Sequence, residues 1–216
     1  MATTWRNWAG DQRCSPAELV RPANREELAA ALRASAEAGR TVSIAGTGHS
    51  FTEAAMTDGT MIDLGALSGT IDVDRASGLV RVGAATVLAE LSEELHRLGL
   101  AMENLGDIDR QTVAGAISTG THGTGAKLRN LSAQVEAVEI VTAAGEVREL
   151  DGSQPDLLRA TRVGVGALGA ISAVTLRCVP AFVLERVDSP QPRDEVLDGF
   201  EERAAASDHF ELFTFP

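Results

Sequence analysis

Two glycine-rich segments of the sequence each carry a histidine among residues that are otherwise small. The first, SIAGTGHSF, covers residues 43–51, and the second, STGTHGTG, covers residues 118–125. Glycine adopts backbone conformations that other residues avoid and lets consecutive N–H groups approach a ligand closely. Such a nest of amides binds phosphate oxygens without a basic side chain. The first segment therefore indicates an anion site, with the hydroxyls of Thr47 and Ser50 as additional donors.

The first segment matches neither of two common nucleotide-binding fingerprints. A GxGxxG pattern would need a third glycine at position 51, which is phenylalanine, and no Gly-Lys-Ser/Thr follows as in a Walker A loop. What remains is a run from Gly46 to Ser50 directly after the signal for an apolar strand. A plain turn stays the alternative for this run taken alone.

The second segment ends a longer run, DRQTVAGAISTGTHGTG, which covers residues 109–125. A helix of small residues beginning at Thr112 would point its N-terminus at an anion. The alternative is a close crossing of helix and sheet that needs small residues for packing alone. Two such runs in one chain, each with a histidine, favour a ligand site.

The histidines in these runs could bind a metal, support the structure or take part in chemistry. His49 and His122 have no cysteine nearby and no HxxxH spacing, so the sequence disfavours a metal site. We expect His96 and His209 to be ordinary surface or edge residues.

The composition excludes several classes of function. The net charge of −12 disfavours nucleic acid and anionic membranes as partners, because both require a basic surface. The sequence holds two Trp, six Phe and no Tyr, which disfavours stacking on nucleobases. No apolar run is long enough to span a membrane, and the N-terminus lacks the apolar core of a signal peptide. Cys14 and Cys178 form no ligand pattern, which fits a reducing cytoplasm.

The elements that would position the two segments can be read from the hydrophobic pattern. AELVRPAN predicts a strand, Asn24 and Glu27 a capping box, and Gly39 the end of the helix that follows. RTVSIAG predicts the next strand, which places the first glycine segment at its carboxyl end, where ligands commonly bind in α/β sheets.

The rest of the chain predicts mainly strands, with helices between them. We expect three strands within residues 59–86, with a hairpin turn at RASG, then a helix over 86–100. A long hairpin is expected over 133–150, a short helix over 155–164 and a strand over 167–179. Residues 194–207 predict a helix, and residues 210–215 predict the start of a strand.

Taken together, these segments resemble the FAD-binding (PCMH-type) domain of the vanillyl-alcohol-oxidase-type flavoproteins. Within that group the chain is most similar to the L-gulono- and D-arabinono-1,4-lactone oxidases and alditol oxidase. The resemblance covers nearly the whole chain. It rests on NWAG at residue 7, GTGHSFT at 46, VRVGAAT at 80, ENLGDID at 103, TVAGAISTGTHGTG at 112 and LGAISAVTL at 168.

The resemblance implies an α+β fold in which two α+β subdomains hold an extended FAD between them. Residues 1–180 would form the FAD-binding domain, with subdomains at roughly 1–65 and 66–180. Residues 181–216 would form a connection and the first elements of a truncated substrate domain. No catalytic residue is assigned to this chain, because in the family these residues come mainly from segments expected beyond Pro216.

The resemblance also implies which residues contact the cofactor. The pyrophosphate would lie on Ile44, Ala45, Gly46, Thr47, Gly48, His49 and Ser50. The opposite side would be formed by Gly106, Asp107, Thr112, Gly115, Thr119, Gly120, Thr121 and His122, with the backbone of Ile171 at the adenine end.

Two of these positions carry a more specific implication. His49 stands where family members attach FAD covalently through the 8α-methyl group, and the absence of a cysteine in residues 104–125 implies a single link. Gly106 would lie beside the C4a edge of the flavin and leave it open to oxygen. The alternative is that Gly106 only permits a turn ahead of Asp107.

The implied activity is the oxidation of a CH–OH group in a sugar-1,4-lactone or an alditol, with oxygen or another acceptor. A quinone or cytochrome acceptor, and with it peripheral contact with a membrane, stays open, and the oligomeric state is not indicated. An NADPH-linked reductase is one alternative, as in the muramate reductases, which hold FAD without the histidine link. A flavin-binding module without catalysis is another.

Overall fold

The computed structural model describes residues 4–215, a chain of mixed strands and helices. The strands are β1 (Trp5–Arg6), β2 (Arg13–Cys14), β3 (Glu18–Val20), β4 (Val42–Ala45), β5 (Thr60–Asp63), β6 (Thr70–Asp74), β7 (Leu79–Gly83), β8 (Leu100–Met102), β9 (Val135–Val141), β10 (Val147–Leu150) and β11 (Ala170–Pro180). The α-helices are α1 (Arg25–Glu37), α2 (Leu88–Arg97), α3 (Val113–Ser118), α4 (Pro155–Arg162), α5 (Arg193–Asp198) and α6 (Phe200–Ala206), and Glu53–Ala55 and Leu131–Gln134 form short 3-10 helices. Among the described residues, no helix combines the length and the apolarity needed to cross a membrane. The α+β class is confirmed.

A small parallel sheet in the order β3-β5-β4 determines where the first glycine segment begins. Helix α1 connects β3 to β4, so the predicted strand–helix–strand unit is confirmed. The side-chain oxygen of Asn24 accepts a hydrogen bond from the Glu27 amide at 2.9 Å, and the Glu27 carboxylate accepts one from the Ala23 amide at 2.9 Å. Gly39, with φ of 65°, then turns the chain toward β4. Strand β4 delivers the first glycine segment at its carboxyl end.

A larger antiparallel sheet has the order β10-β9-β11-β7-β6, and β8 pairs with β11. The predicted hairpins β6–β7 and β9–β10 are both present. Strand β11 lies between β9 and β7, and most of its residues are buried. Helix α3, which precedes the second glycine segment, packs against this strand. The larger sheet therefore supports the second glycine segment through the packing of α3 on β11.

One cluster of buried apolar side chains joins the two sheets. It includes Leu28 of α1, Ile62 of β5, Val80 of β7, Val138 of β9 and Leu176 of β11, all with 0% exposure. Fully burying a side chain of this size stabilises the fold by about 1.5–3 kcal/mol. Because both sheets share this core, their relative position is defined by packing.

A buried carboxylate reinforces the junction between the sheets. Glu139 of β9 is 9% exposed. It accepts hydrogen bonds from Arg25 of α1 at 3.1 Å, from Arg81 of β7 at 2.9 Å and from the Ser172 hydroxyl at 2.6 Å. Hydrogen bonding to Glu149, together with the nearby charge of Glu139, holds the pKa of Arg81 above its ordinary value. The network ties α1, which belongs to the small-sheet unit, to the larger sheet.

Three parts of the chain differ from the sequence-based expectations. The helix predicted over residues 194–207 is two short helices, α5 and α6, which meet at Gly199. Residues 210–215 form no strand, because they pair with no other strand of the described chain. The β1–β2 pair and β8 are absent from the sequence-based expectations, because these strands are too short to show a period of two.

Candidate functional site

The first glycine loop, residues 46–50, presents a row of unpaired backbone N–H groups. Within residues 4–215, no acceptor takes a hydrogen bond from the amides of these five residues. Two carbonyl groups of the loop are held by hydrogen bonds instead. The Gly48 oxygen accepts a hydrogen bond from the Trp8 amide at 2.8 Å, and the Ser50 oxygen accepts one from Asn7 Nδ2 at 3.0 Å. The loop therefore has the donors of an anion nest and a fixed backbone behind them.

The support behind this loop comes from the turn between β1 and β2, which centres on Asn7. Asn7 is 4% exposed, and its Nδ2 also donates to Asp11 at 2.7 Å. Its side-chain oxygen accepts hydrogen bonds from the amides of Gly10 at 2.9 Å and Gln12 at 3.1 Å. A buried amide with all these bonds made is rigid. In the sequence, NWAG carries only the family resemblance and gives no signal for this role.

Gly48 needs to be glycine for two reasons that concern the protein itself. Its φ of 74° lies in the left-handed region. A Cβ atom there would also lie 3.3 Å from Asn7 Cα and 3.3 Å from the Trp5 ring. This glycine therefore allows the turn between β1 and β2 to pack closely against the loop.

His49 is half-buried in the middle of the loop. Its Nδ1 lies 3.3 Å from the Thr47 hydroxyl, and its ring stacks on the indole of Trp8. The Ser50 hydroxyl lies 2.9 Å from that of Thr52. The hydroxyls of Thr47 and Ser50 therefore point along the loop toward neighbouring side chains.

Thr112 brings the two glycine segments together. A Cβ atom on Gly46 would lie 2.7 Å from Thr112 Oγ1, so the first loop packs directly on this threonine. The same oxygen accepts a hydrogen bond from the Gly115 amide at 3.2 Å and caps α3. Gly46, Thr112 and Gly115 thus form one contact region, which brings together residues that the family resemblance assigns to the two sides of the cofactor.

The expectation that α3 points free amides at an anion is wrong. The Val113 amide donates to the Thr86 carbonyl at 2.8 Å, and the Ala114 amide donates to the Ala84 carbonyl at 3.0 Å. With Gly115 bonded to Thr112, the first three amides of this six-residue helix are all paired within the protein. The helix starts against residues 84–86, and this tertiary contact leaves no local signal in the sequence.

The second glycine loop has a smaller set of unpaired amides. Those of His122, Gly123, Thr124 and Gly125 donate to no acceptor within residues 4–215. The Thr121 hydroxyl lies 3.2 Å from Gln111 Nε2 and 3.4 Å from the Thr119 hydroxyl. His122 is exposed, and its Nδ1 lies 2.9 Å from the Gly123 carbonyl oxygen. Hydroxyls and amides of this loop therefore lie together, and Gln111, to which no sequence motif points, is bonded among them.

Gly106 packs against the second loop. A Cβ atom there would lie 3.0 Å from Thr121 Cγ2 and 3.1 Å from the His122 carbonyl oxygen. Its φ lies outside the left-handed region, so the turn itself does not require glycine. Glycine is required instead by the close approach of the two backbones. Thr121 and His122 already occupy the space into which a side chain at position 106 would project.

Other expected site residues are less closely connected. Asp107 is exposed and Gly120 is half-buried near the second loop. Asp107 makes no hydrogen bond or ion pair within residues 4–215. Ile171 is 5% exposed in β11, and its described pairing is with Ile140 of β9. His209, expected to be an ordinary edge residue, has its Nδ1 3.1 Å from the Thr124 hydroxyl.

The described part of the chain holds no cluster of three or more His, Cys, Asp or Glu residues suited to a metal ion. Its donor set is instead that of an anion site: backbone N–H groups and hydroxyls, with glycine where two backbones meet. A sequence model of the FAD binding domain family matches residues 16–151, which is more than half of the chain. The chain belongs to this family. It is a PCMH-type FAD-binding domain, and the amide nest at residues 46–50 fits the pyrophosphate of that cofactor.

Relatives of this FAD-binding domain include enzymes with named activities. The chain is 44% identical over 216 residues to L-gulono-1,4-lactone dehydrogenase of Mycobacterium tuberculosis, covering 100% of this chain and 50% of the relative. It is 37% identical over 213 residues to L-gulonolactone oxidase of Bos taurus, covering 98% and 48%. It is 34% identical over 216 residues to D-arabinono-1,4-lactone oxidase of Yarrowia lipolytica, covering 98% and 41%. The chain thus spans about half the length of the curated relatives it matches.

Proposed function

We propose that this chain is the FAD-binding portion of an oxidoreductase that oxidises a CH–OH group of an aldono-1,4-lactone. One observation carries the proposal: the unpaired amides of residues 46–50 surround a histidine in a domain of the FAD-binding family. The names of the relatives, gulonolactone and arabinonolactone oxidases and a gulonolactone dehydrogenase, support the lactone as substrate class. An alditol is the second substrate to test.

The residues of this chain would bind and orient the cofactor. Amides 46–50 would hold the pyrophosphate, and the hydroxyls of Thr119 and Thr121 would line the facing wall. Bound FAD supplies a two-electron acceptor for the hydride of the carbinol carbon. We assign no proton acceptor for the substrate hydroxyl to this chain.

We further propose that His49 bonds covalently to the cofactor. A C–N bond would form between an imidazole nitrogen and the 8α-methyl carbon, while one C–H bond of that methyl group and the imidazole N–H bond break. Two protons would leave to solvent, and two electrons would pass to dioxygen, which would take up two protons from solvent and become hydrogen peroxide. The half-buried position of His49 inside the nest supports this role. Such a bond prevents cofactor loss and raises the reduction potential of the flavin.

Acid precipitation of the complete protein encoded by the gene tests the covalent bond. The yellow colour should stay with the polypeptide, and the His49→Ala variant should release it into the supernatant. His96→Ala is the matched control, because it removes an exposed histidine of α2, outside both glycine loops, and should keep the colour with the polypeptide. Free FAD in the supernatant of the unmutated protein would contradict the bond.

Turnover assays test the activity and separate it from the alternatives. The complete protein should reduce its flavin with L-gulono-1,4-lactone or D-arabinono-1,4-lactone faster than with an alditol. Reoxidation by aerated buffer within seconds would make it an oxidase, whereas rapid reoxidation only by a quinone or cytochrome would make it a dehydrogenase. Flavin reduction by NADPH instead of a lactone would support the reductase alternative. Bound flavin that no substrate reduces would support a non-catalytic module.

We also infer that residues 181–216 lead from the FAD-binding domain, residues 1–180, into a substrate domain. The exposed apolar side chains of Phe182, Val183 and Val187 support this, because such a group of side chains is usually covered in the functional protein. We infer a cytoplasmic location from the unpaired state of Cys14 and Cys178. Limited proteolysis and cell fractionation test the two inferences.

A further inference from the structure

An exposed aromatic side chain covers one face of His49. The ring centroids of Trp8 and His49 are 5.3 Å apart, and the planes differ by 17°, which is a stacked arrangement. The indole is 67% exposed, so most of its surface is turned to solvent. Phe51, 63% exposed, meets the same indole edge-on at a centroid distance of 6.4 Å. The imidazole of His49, the indole of Trp8 and the ring of Phe51 thus form a small aromatic group on the surface of the protein.

The backbones that carry the two stacked rings are tied together next to the rings. The Trp8 amide donates to the carbonyl of Gly48, the residue before His49. The Asn7 side chain donates to the carbonyl of Ser50, the residue after it. Because hydrogen bonds hold the loop on both sides of His49, the backbone places the two side chains within reach of each other. The side chains of Trp8 and His49 are therefore close to each other before either adopts a particular rotamer.

We propose that Trp8 is the positioning residue for His49: its indole face holds the imidazole plane in the orientation that bonds to the flavin. The proposal rests on the covalent attachment proposed above. It concerns the same C–N bond, and the balance of protons and electrons is the one given there. An unrestrained histidine samples about three χ1 wells and about two χ2 orientations, roughly six arrangements in all. Stacking against a fixed ring favours one of them. Without the indole, the competent arrangement would be populated about one-sixth of the time, and bond formation would slow by about sixfold.

The exposure of Trp8 argues against a purely structural role. A tryptophan that stabilises a fold normally buries most of its large surface. The burial behind this loop comes instead from Asn7, at 4% exposure. The support of the loop and the stacking on the imidazole are therefore separate, and substitution of the indole should leave the loop in place.

The rate of covalent attachment in the complete apoprotein tests the proposal. Added FAD is followed in two ways: total binding by quenching of flavin fluorescence, and covalent binding by the flavin retained after acid precipitation. Trp8→Leu should lower the rate of covalent attachment by about sixfold and leave the dissociation constant of initial binding within twofold. Trp8→Phe, which keeps an aromatic face, should restore most of the rate. Ile71→Ala, which changes an apolar residue of similar exposure on β6, should change neither quantity.

Histidine ring-proton resonances give a readout that needs no flavin. In the unmutated apoprotein, the His49 ring protons should be shifted upfield by the indole ring current, with assignment by their loss in His49→Ala. Trp8→Leu should move them downfield, and Ile71→Ala should not. Unchanged resonances together with an unchanged attachment rate in Trp8→Leu would overturn the proposal. A parallel loss of initial FAD binding in Trp8→Leu and Trp8→Phe would also overturn it, because it would indicate a structural role. If the unmutated protein formed no covalent flavin at all, the proposed attachment itself would be the part that fails.

Discussion

Replacing Gly46 with alanine should destabilise the protein through a single contact. Gly46 lies outside the left-handed region, so alanine can adopt its backbone conformation. The added Cβ atom would lie 2.7 Å from Thr112 Oγ1, which must move, whereas Thr112 Cγ2 and Cβ would lie at 3.4 and 3.6 Å. Moving this oxygen weakens the cap of α3, which is worth about 1 kcal/mol, and overpacking adds about 1 kcal/mol or more. We expect Gly46→Ala to lower the free energy of unfolding by about 2 kcal/mol.

The same substitution should cost almost nothing when Thr112 is alanine. Thr112→Ala removes the oxygen and its cap, at a cost of about 1 kcal/mol, and leaves only the Cβ contact at 3.6 Å. Alanine at position 46 then also restricts the unfolded chain, which stabilises by about 0.4–1 kcal/mol. The coupling between the two positions should be about 2 kcal/mol, within the range measured for residues in direct contact. Thr112→Ser keeps the oxygen, so Gly46→Ala should still cost about 2 kcal/mol in that background.

Urea denaturation of the four apoproteins of this cycle, and of the two serine variants, measures these differences. The reasoning would be refuted if Gly46→Ala cost the same with threonine, serine or alanine at position 112. It would also be refuted if the substitution were neutral in the unmutated protein, because the two glycine segments would then not be in contact.

Three further predictions concern other parts of the fold. Glu139→Ala should lower the free energy of unfolding by about 3 kcal/mol, because two arginines lose their buried partner, and Glu139→Gln, which keeps some hydrogen bonds, should cost less when both are measured by urea denaturation. Burial raises the pKa of Cys178 from its ordinary 9.0 to about 11, so its contribution to stability is complete below pH 9 and is lost as the pH rises toward 11. Over that range the stability advantage of the unmutated protein over Cys178→Ala should shrink by on the order of 1–2 kcal/mol, and a constant difference would contradict the shift. Gly106→Val should weaken FAD binding about tenfold in fluorescence titrations because it displaces the second loop, and a variant that binds FAD normally but reoxidises slowly would show that Gly106 acts as an oxygen gate instead.

Local patterns explain which parts of the fold could be predicted from the sequence. The capping box at Asn24, the amphipathic α2 and the two hairpins depend on residues close together in the chain, and all are present. The β1–β2 pair could not be predicted, because two-residue strands carry no periodicity. The unformed strand at residues 210–215 depends on a pairing partner, which a local pattern does not reveal.

The candidate site divides in the same way. Glycines, hydroxyls and a histidine at the end of a predicted strand indicate an anion nest, and the amides of residues 46–50 are unpaired as that pattern implies. The expectation of free amides at the N-terminus of α3 is wrong, because the amides of Val113 and Ala114 bond to the carbonyls of Thr86 and Ala84, which are distant in the sequence. The stacking of Trp8 on His49 joins residues 41 positions apart and has no local signal. Long-range contacts therefore account for what the sequence could not predict.

A crystal structure of the complete protein with FAD bound tests the central claim most directly. We expect the pyrophosphate oxygens to lie within about 2.7–3.2 Å of backbone nitrogens in residues 46–50, the range of N–H···O hydrogen bonds. The flavin ring should lie next to His49. A pyrophosphate bound elsewhere, with the amides of residues 46–50 bonded only to water, would contradict the account.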